Sequence, residues 1–168
     1  MSERKTLYKW FWAWDFEKEE RWLNEMAMSG WVLVSVGFCR YSFERCAPGE
    51  YQVRLEMHGW DDGYVSFMQE MGAEYVGRFA AWLYFRKRTA DGPFDLFSDI
   101  DSRIRHLEKI ARVLLIIGLA NLIIGTINAI NGSSVGVLNL LVATVLMYGL
   151  GRIHGKKETL ETDRQLHE

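Results

Sequence analysis

The residues able to ligate a metal or to act as nucleophiles are few and scattered. His58, His106, His154 and His167 are the histidines, and Cys39 and Cys46 the cysteines, of a 168-residue chain. None falls at the short ligand spacings of zinc sites, so the sequence predicts no metal and no cofactor. Cys39 and Cys46 read as strand and turn residues of one hairpin rather than as a redox pair. Glu17, Glu19, Glu20 and Glu25 crowd one stretch, but acid–base chemistry needs a cleft and an opposing group. The run reads instead as a solvated helix face that favours the helix N-terminus. Asp61-Asp62-Gly63 lacks the rest of a calcium loop and reads as a helix cap. Asp95, Asp99 and Asp101 beside Arg103 and Arg105 read as capping and charge pairing. The chain has 15 glycines, none in a phosphate-cradling motif. No catalytic residue is assigned, and an enzyme ranks last among the functional readings.

Recognition is better provided for. The chain holds 7 Trp, 7 Tyr and 9 Phe, the ring types that dominate interface cores. Sheet aromatics also stack RNA bases in some folds. Residues 1–99, however, carry 12 Lys and Arg against 16 Asp and Glu, and the whole chain has a formal charge of −2. Without a basic footprint, direct nucleic-acid binding is excluded. A protein or a small molecule is the expected partner.

The elements that would position these rings alternate. Residues 5–14 are aromatic-rich and predict a strand. Asp15 is the expected N-cap of a helix over 16–29, whose stripe is Phe16, Glu19 or Glu20, Leu23 and Ala27, stopped by Gly30. Strands over 31–45 and 51–58 flank a turn signalled by Pro48-Gly49. The second strand alternates, with Tyr51, Val53, Leu55 and Met57 on one face. A short helix over 61–71 stops at Gly72, and 73–88 predicts one long final strand. The order βαββαβ predicts an α+β, ferredoxin-like domain over residues 1–92, with two helices on one face of a four-stranded antiparallel sheet. The open face would carry Arg54, Arg78, Trp82, Tyr84 and Arg86 as the binding surface.

Three stretches resemble a bacterial family known as domain of unknown function 2812: residues 11–33, 41–57 and 96–109. The Trp22-Leu23-Asn24 and Gly30-Trp31 elements are the most specific part of the likeness, which covers most of residues 5–109. The resemblance implies a membrane-anchored protein of Gram-positive bacteria. It also implies, as a partner, a transcriptional repressor of the PadR type, often encoded beside such proteins. It implies no catalytic residues.

The remainder reads as membrane. No charged residue occurs between Arg112 and Arg152. Residues 93–112 predict an amphipathic connector helix, and 113–151 a two-span transmembrane hairpin turning at Asn131-Gly132-Ser133-Ser134. A polar tail over 152–168 follows. A seam of alternating three- and four-residue steps runs through Phe97, Ile100, Ile104, Leu107, Ala111, Leu114, Gly118, Asn121, Gly125, Asn128 and Gly132. Gly136, Asn139, Ala143, Leu146 and Leu150 continue it in the second span. Small residues on such a seam permit close helix packing in lipid, within the hairpin or in a homo-oligomer. Asn128 and Asn139 stand at similar distances from the turn, so a hydrogen bond between them is expected. Arg103, Arg105, Lys109 and Arg112 before the first span, and Arg152, Lys156 and Lys157 after the second, predict both termini in the cytoplasm. The same cations would attract anionic lipids of the inner leaflet. The combined expectation is a multi-pass cell-membrane protein that is regulatory or sensory, its cytoplasmic domain binding a partner or small ligand. The alternative is an oligomeric membrane assembly or transporter accessory subunit, with the asparagines lining a polar path.

Overall fold

A computed structural model describes residues 3–97 and 99–167, and the chain divides into two compact units after Leu96. The first unit is α+β. Its strands are β1 (Arg4–Tyr8), β2 (Trp31–Gly37), β3 (Arg40–Arg45), β4 (Tyr51–Met57), β5 (Glu74–Phe79) and β6 (Trp82–Arg88). Its helices are α1 (Phe16–Met28) and α2 (Asp62–Glu70). The strands form two three-stranded antiparallel sheets, ordered β1-β3-β2 and β4-β6-β5.

This differs from the four-stranded ferredoxin-like sheet predicted from the sequence. Each stretch read as one long strand is a hairpin, folded at Phe38-Cys39 and at Ala80-Ala81. Both turns place a residue other than glycine in the left-handed region, Cys39 at φ 51° and Ala80 at φ 50°. The usual Asn, Gly or Pro signal is therefore missing from the turn positions themselves. The Pro48-Gly49 segment is not a hairpin turn, because β3 and β4 belong to different sheets.

The two sheets are copies of one βαββ unit. In each, the outer two strands flank the third, and a helix joins the first strand to the second. The hairpin registers coincide at a constant step of 42 residues: Leu33 faces Phe43 as Tyr75 faces Phe85, and Gly37 faces Arg40 as Phe79 faces Trp82. The bulge after Leu33 has its counterpart after Tyr75. Both helices also stop alike, with Gly30 at φ 81° and Gly72 at φ 84° just beyond their ends.

Within the first unit α1 serves both sheets. Its buried stripe is Phe16, Glu19, Leu23 and Ala27, as predicted. Trp22 packs against Tyr41 and Phe43 of β3, and Phe16 against Trp82 of β6. Helix α2 covers the other face of the second sheet, where Val65, Met68, Ala73, Leu83 and Phe85 enclose Phe94. The sheets meet at β2 and β5. The Arg86 guanidinium donates to the Leu33 carbonyl across this seam (3.1 Å), and a Cβ on Gly77 would lie 3.3 Å from Val36 Cγ1.

The second unit is a pair of long helices, α3 (Ile100–Ile130) and α4 (Val135–His167). Residues 94–97 and Asp99, expected within the connector helix, are not part of α3, and Ser98 of that expected helix lies outside the described residues. The helix begins at a capping box, the Asp99 carboxylate accepting from the Ser102 N–H (2.7 Å). Ile104, Leu107, Leu114, Gly118 and Gly125 of the predicted seam are buried, as are Gly136 and Ala143. A Cβ on Gly136 would lie 2.6 Å from the Ala129 nitrogen and 2.8 Å from the Gly125 carbonyl oxygen. At that crossing the backbones touch, which only glycine allows. Both helices are long and apolar enough to cross a membrane, and their most apolar windows are only 17% and 22% buried. A core helix of a water-soluble fold would be mostly buried. Ile116, Ile123, Leu138 and Leu141 instead point outward, as lipid contact requires.

Candidate functional site

The edge of the second sheet supplies a concavity in the first unit. Strand β4 would expose an unpaired row of backbone groups there, a hazard that folded proteins cover. Helix α1 covers it with side chains that imitate a strand. The Asn24 amide accepts from the Val53 N–H (2.9 Å) and donates to the Val53 carbonyl (2.9 Å). One step along, Glu20 Oε2 accepts from the Leu55 N–H (3.2 Å). Above this contact an open groove of about 610 Å³ runs between α1 and β4, lined by Glu17, Glu20, Arg21, Asn24, Gln52 and Arg54.

The groove's charges are mixed. The Arg54 guanidinium lies 3.4 Å from Glu20 Oε1. Burial raises the Glu20 carboxyl above its ordinary value, and Arg54 and the Leu55 N–H pull it back. Arg21 is exposed at the rim. This arrangement can bind a polar segment carrying both signs of charge through hydrogen bonds and ion pairs. Among the described residues no cluster of His, Cys, Asp and Glu could hold a metal ion.

Directly behind the groove lies a buried carboxylate. Glu19 Oε1 accepts from the hydroxyls of Tyr41 (2.8 Å) and Tyr84 (2.7 Å), one from each sheet. Burial raises the Glu19 carboxyl, and the two hydroxyls partly offset that rise. The same burial and the neighbouring carboxylate push both phenols upward. All three groups are buried, so this is a polar lock joining the two βαββ units rather than a reactive centre.

The open sheet face expected from the sequence does not exist as such. Tyr84 and Trp82 are buried, because α1 covers their face of the second sheet. Arg54 sits opposite Phe85 and Tyr84 opposite Leu55, so the two alternate to opposite faces. Arg86 is held by Glu74 (2.7 Å) and by the Leu33 carbonyl, and so ties the sheets together. Arg78 is exposed and stacks over Trp60. Of the five predicted residues, Arg54 alone lines the groove. Glu17, Glu20, Arg21, Asn24 and Gln52 were missed as site residues. The signal available was Trp22-Leu23-Asn24, where an asparagine sits inside an apolar helical stripe.

In the helix pair, Gly118, Gly125 and Ala143 are buried, and Asn121, Asn128 and Asn139 are half-buried. Asn121 donates to the Ile117 carbonyl of its own helix (2.9 Å). Among the described residues no hydrogen bond joins Asn128 to Asn139. Both cysteines are free thiols, and burial with the nearby Glu50 pushes the Cys46 thiol up.

No curated protein and no solved structure matches this chain. A model of the family described as protein of unknown function (DUF2812) matches residues 15–119, from the start of α1 into α3, and the chain belongs to that family.

Proposed function

We propose that the protein is a membrane-tethered regulatory or sensory protein whose N-terminal domain lies in the cytoplasm and binds a protein partner along the α1–β4 groove. The observation that carries this reading is the groove itself, a mixed-charge channel of about 610 Å³ joined in one chain to two long helices with exposed apolar faces. A channel with both signs of charge suits a partner segment carrying complementary charges, since such patterns set specificity. Basic residues flank both apolar stretches while residues 131–134 carry none, which supports cytoplasmic termini. A DNA-binding repressor of the PadR type, implied by the family resemblance, is the partner to look for. Binding would hold it at the membrane and away from its operator.

The test is co-purification of the full-length protein from its native membranes beside an Arg21→Glu, Gln52→Glu variant. Both positions line the groove without contributing to the buried core. A partner retained by the wild type and lost from the variant supports the reading. A partner retained equally by both, or none at all, contradicts it.

A further inference from the structure

The most exposed aromatic surface of the first unit is not the groove but one end of the first sheet. Tyr8 is 76% exposed, Phe38 66% and Trp10 52%, with Trp12 and Phe79 also exposed. Trp12, Trp10, Phe38 and Phe79 form a continuous string. Trp12 meets Trp10 at 5.2 Å, Trp10 meets Phe38 at 5.8 Å, and Phe38 meets Phe79 at 5.7 Å between centroids. The backbone beneath them is fixed, because the Lys9 N–H donates to the Cys39 carbonyl (3.0 Å) and so joins the end of β1 to the β2–β3 turn. A patch of large rings held open to solvent on a folded support marks a contact surface.

The charges of this tip select its occupant. Residues 7–14, 36–41 and 77–82, which build it, contain Lys9, Arg40 and Arg78 and no Asp or Glu. The rest of the first unit is net acidic, so the tip is a local basic exception. Tryptophan and tyrosine with interleaved cations are the residues that settle at the membrane–water boundary, ring in the headgroup layer and cation beside anionic lipid. A second copy of the chain fits poorly, because a two-fold pairing of tips would set three cations against three. We infer that this aromatic tip is a membrane-docking surface: it inserts Tyr8, Trp10, Trp12 and Phe38 into the headgroup region of an anionic bilayer. The helix pair α3–α4 makes such docking intramolecular, since it keeps the tip at high effective concentration near lipid. The tip involves none of the groove residues, so docking and partner capture are separable.

All seven tryptophans lie between positions 10 and 82, outside both apolar helices, so their fluorescence reports on the first unit alone. The full-length protein is reconstituted into vesicles with about one-third anionic lipid, with and without bromine near the headgroup end of the acyl chains. Docking predicts that bromine quenches about a third or more of the emission, given the ring depth of interfacial residues. A Trp10→Ser, Phe38→Ser variant, altered only at exposed rings, loses most of that quenching. Absent quenching, or quenching equal in the variant, overturns the inference. A photoreactive benzoylphenylalanine at Phe38 gives an independent readout, with the same group at Ala47, exposed in the turn beyond the other end of β3, as control. Phospholipid adducts at position 38 and not at 47 support docking. Dimers of the chain at position 38 would assign the surface to a second copy, and adducts with another protein to a partner; either result overturns it.

Discussion

Replacing Asn24 by alanine tests whether α1 holds the second sheet by imitating a strand. The side chain makes three hydrogen bonds: two with Val53 and a third, at 2.8 Å, to the Glu20 carbonyl. A neutral hydrogen bond contributes about 1 kcal/mol net, and a buried orphaned partner costs about 1–3 kcal/mol. Water can reach the vacated edge only in part, because Asn24 is half-buried and the Val53 side chain is fully buried. The expected loss for Asn24→Ala is therefore about 2–3 kcal/mol. Asn24→Asp is nearly isosteric and keeps the acceptor for the Val53 N–H, yet it loses both donors and sets a carboxylate oxygen against the Val53 carbonyl. It should lose at least as much stability as the alanine variant at neutral pH and recover part of it in acid, as the carboxyl protonates. Urea denaturation of the full-length protein in micelles, followed by tryptophan fluorescence, measures both. Hydrogen exchange at the Val53 amide reports the same contact locally and should speed up in step. A loss below about 0.5 kcal/mol for Asn24→Ala, well under one ordinary hydrogen bond, would refute the reasoning.

Glu19→Gln should flatten the pH dependence of stability. Folding raises the Glu19 carboxyl above its ordinary 4.5, so the folded state holds this proton more tightly than the unfolded chain. The stability so gained is complete below the unfolded value and is lost as pH climbs through the folded one. Glutamine keeps an acceptor for Tyr41 and Tyr84 without the charge, so denaturation midpoints across that window should vary less with pH than the wild type's. Gly30→Ala and Gly72→Ala should each destabilise by about 1 kcal/mol for a forced left-handed backbone. Gly30 should cost more, its new Cβ falling 3.1 Å from the Cys46 carbonyl while Gly72 meets nothing nearer than Lys87 Cε at 3.6 Å. Thermal melts of the pair give the ranking. Gly136→Val should splay α3 from α4 and cost about 1–3 kcal/mol by overpacking. Gly151→Ala, with nothing within 4 Å, should be neutral, as read from the detergent resistance of the helix pair.

Much of this architecture is written locally. The α1 stripe repeats at helical spacing and ends at Gly30, so both the helix and its buried face follow from periodicity. The α3–α4 seam is equally legible, because small and apolar residues recur at three- and four-residue steps with no charge between Arg112 and Arg152. The two hairpins were hidden for a physical reason: their left-handed turn residues are Cys39 and Ala80, which carry no turn preference. Missing both turns merged four strands into two, and with them vanished the βαββ duplication, which is a matter of register rather than residue identity. The site followed from that error. Tyr84 and Trp82 alternate correctly along β6, but only the second sheet's position under α1 shows that their face is covered. Asn24 could be recognised as unusual in the sequence, although its partner Val53 lies 29 residues away and becomes visible only in the fold.

The central claim, a membrane-held domain that captures a protein along the α1–β4 groove, is tested most directly by photocrosslinking in living cells. Benzoylphenylalanine at Gln52, on the groove wall, is irradiated in the full-length protein and the adducts are identified by mass. The account predicts a discrete adduct with one other cytoplasmic protein, recovered in the membrane fraction and abolished by Arg21→Glu. Adducts with lipid alone, with a second copy alone, or with many proteins unaffected by Arg21→Glu would contradict it.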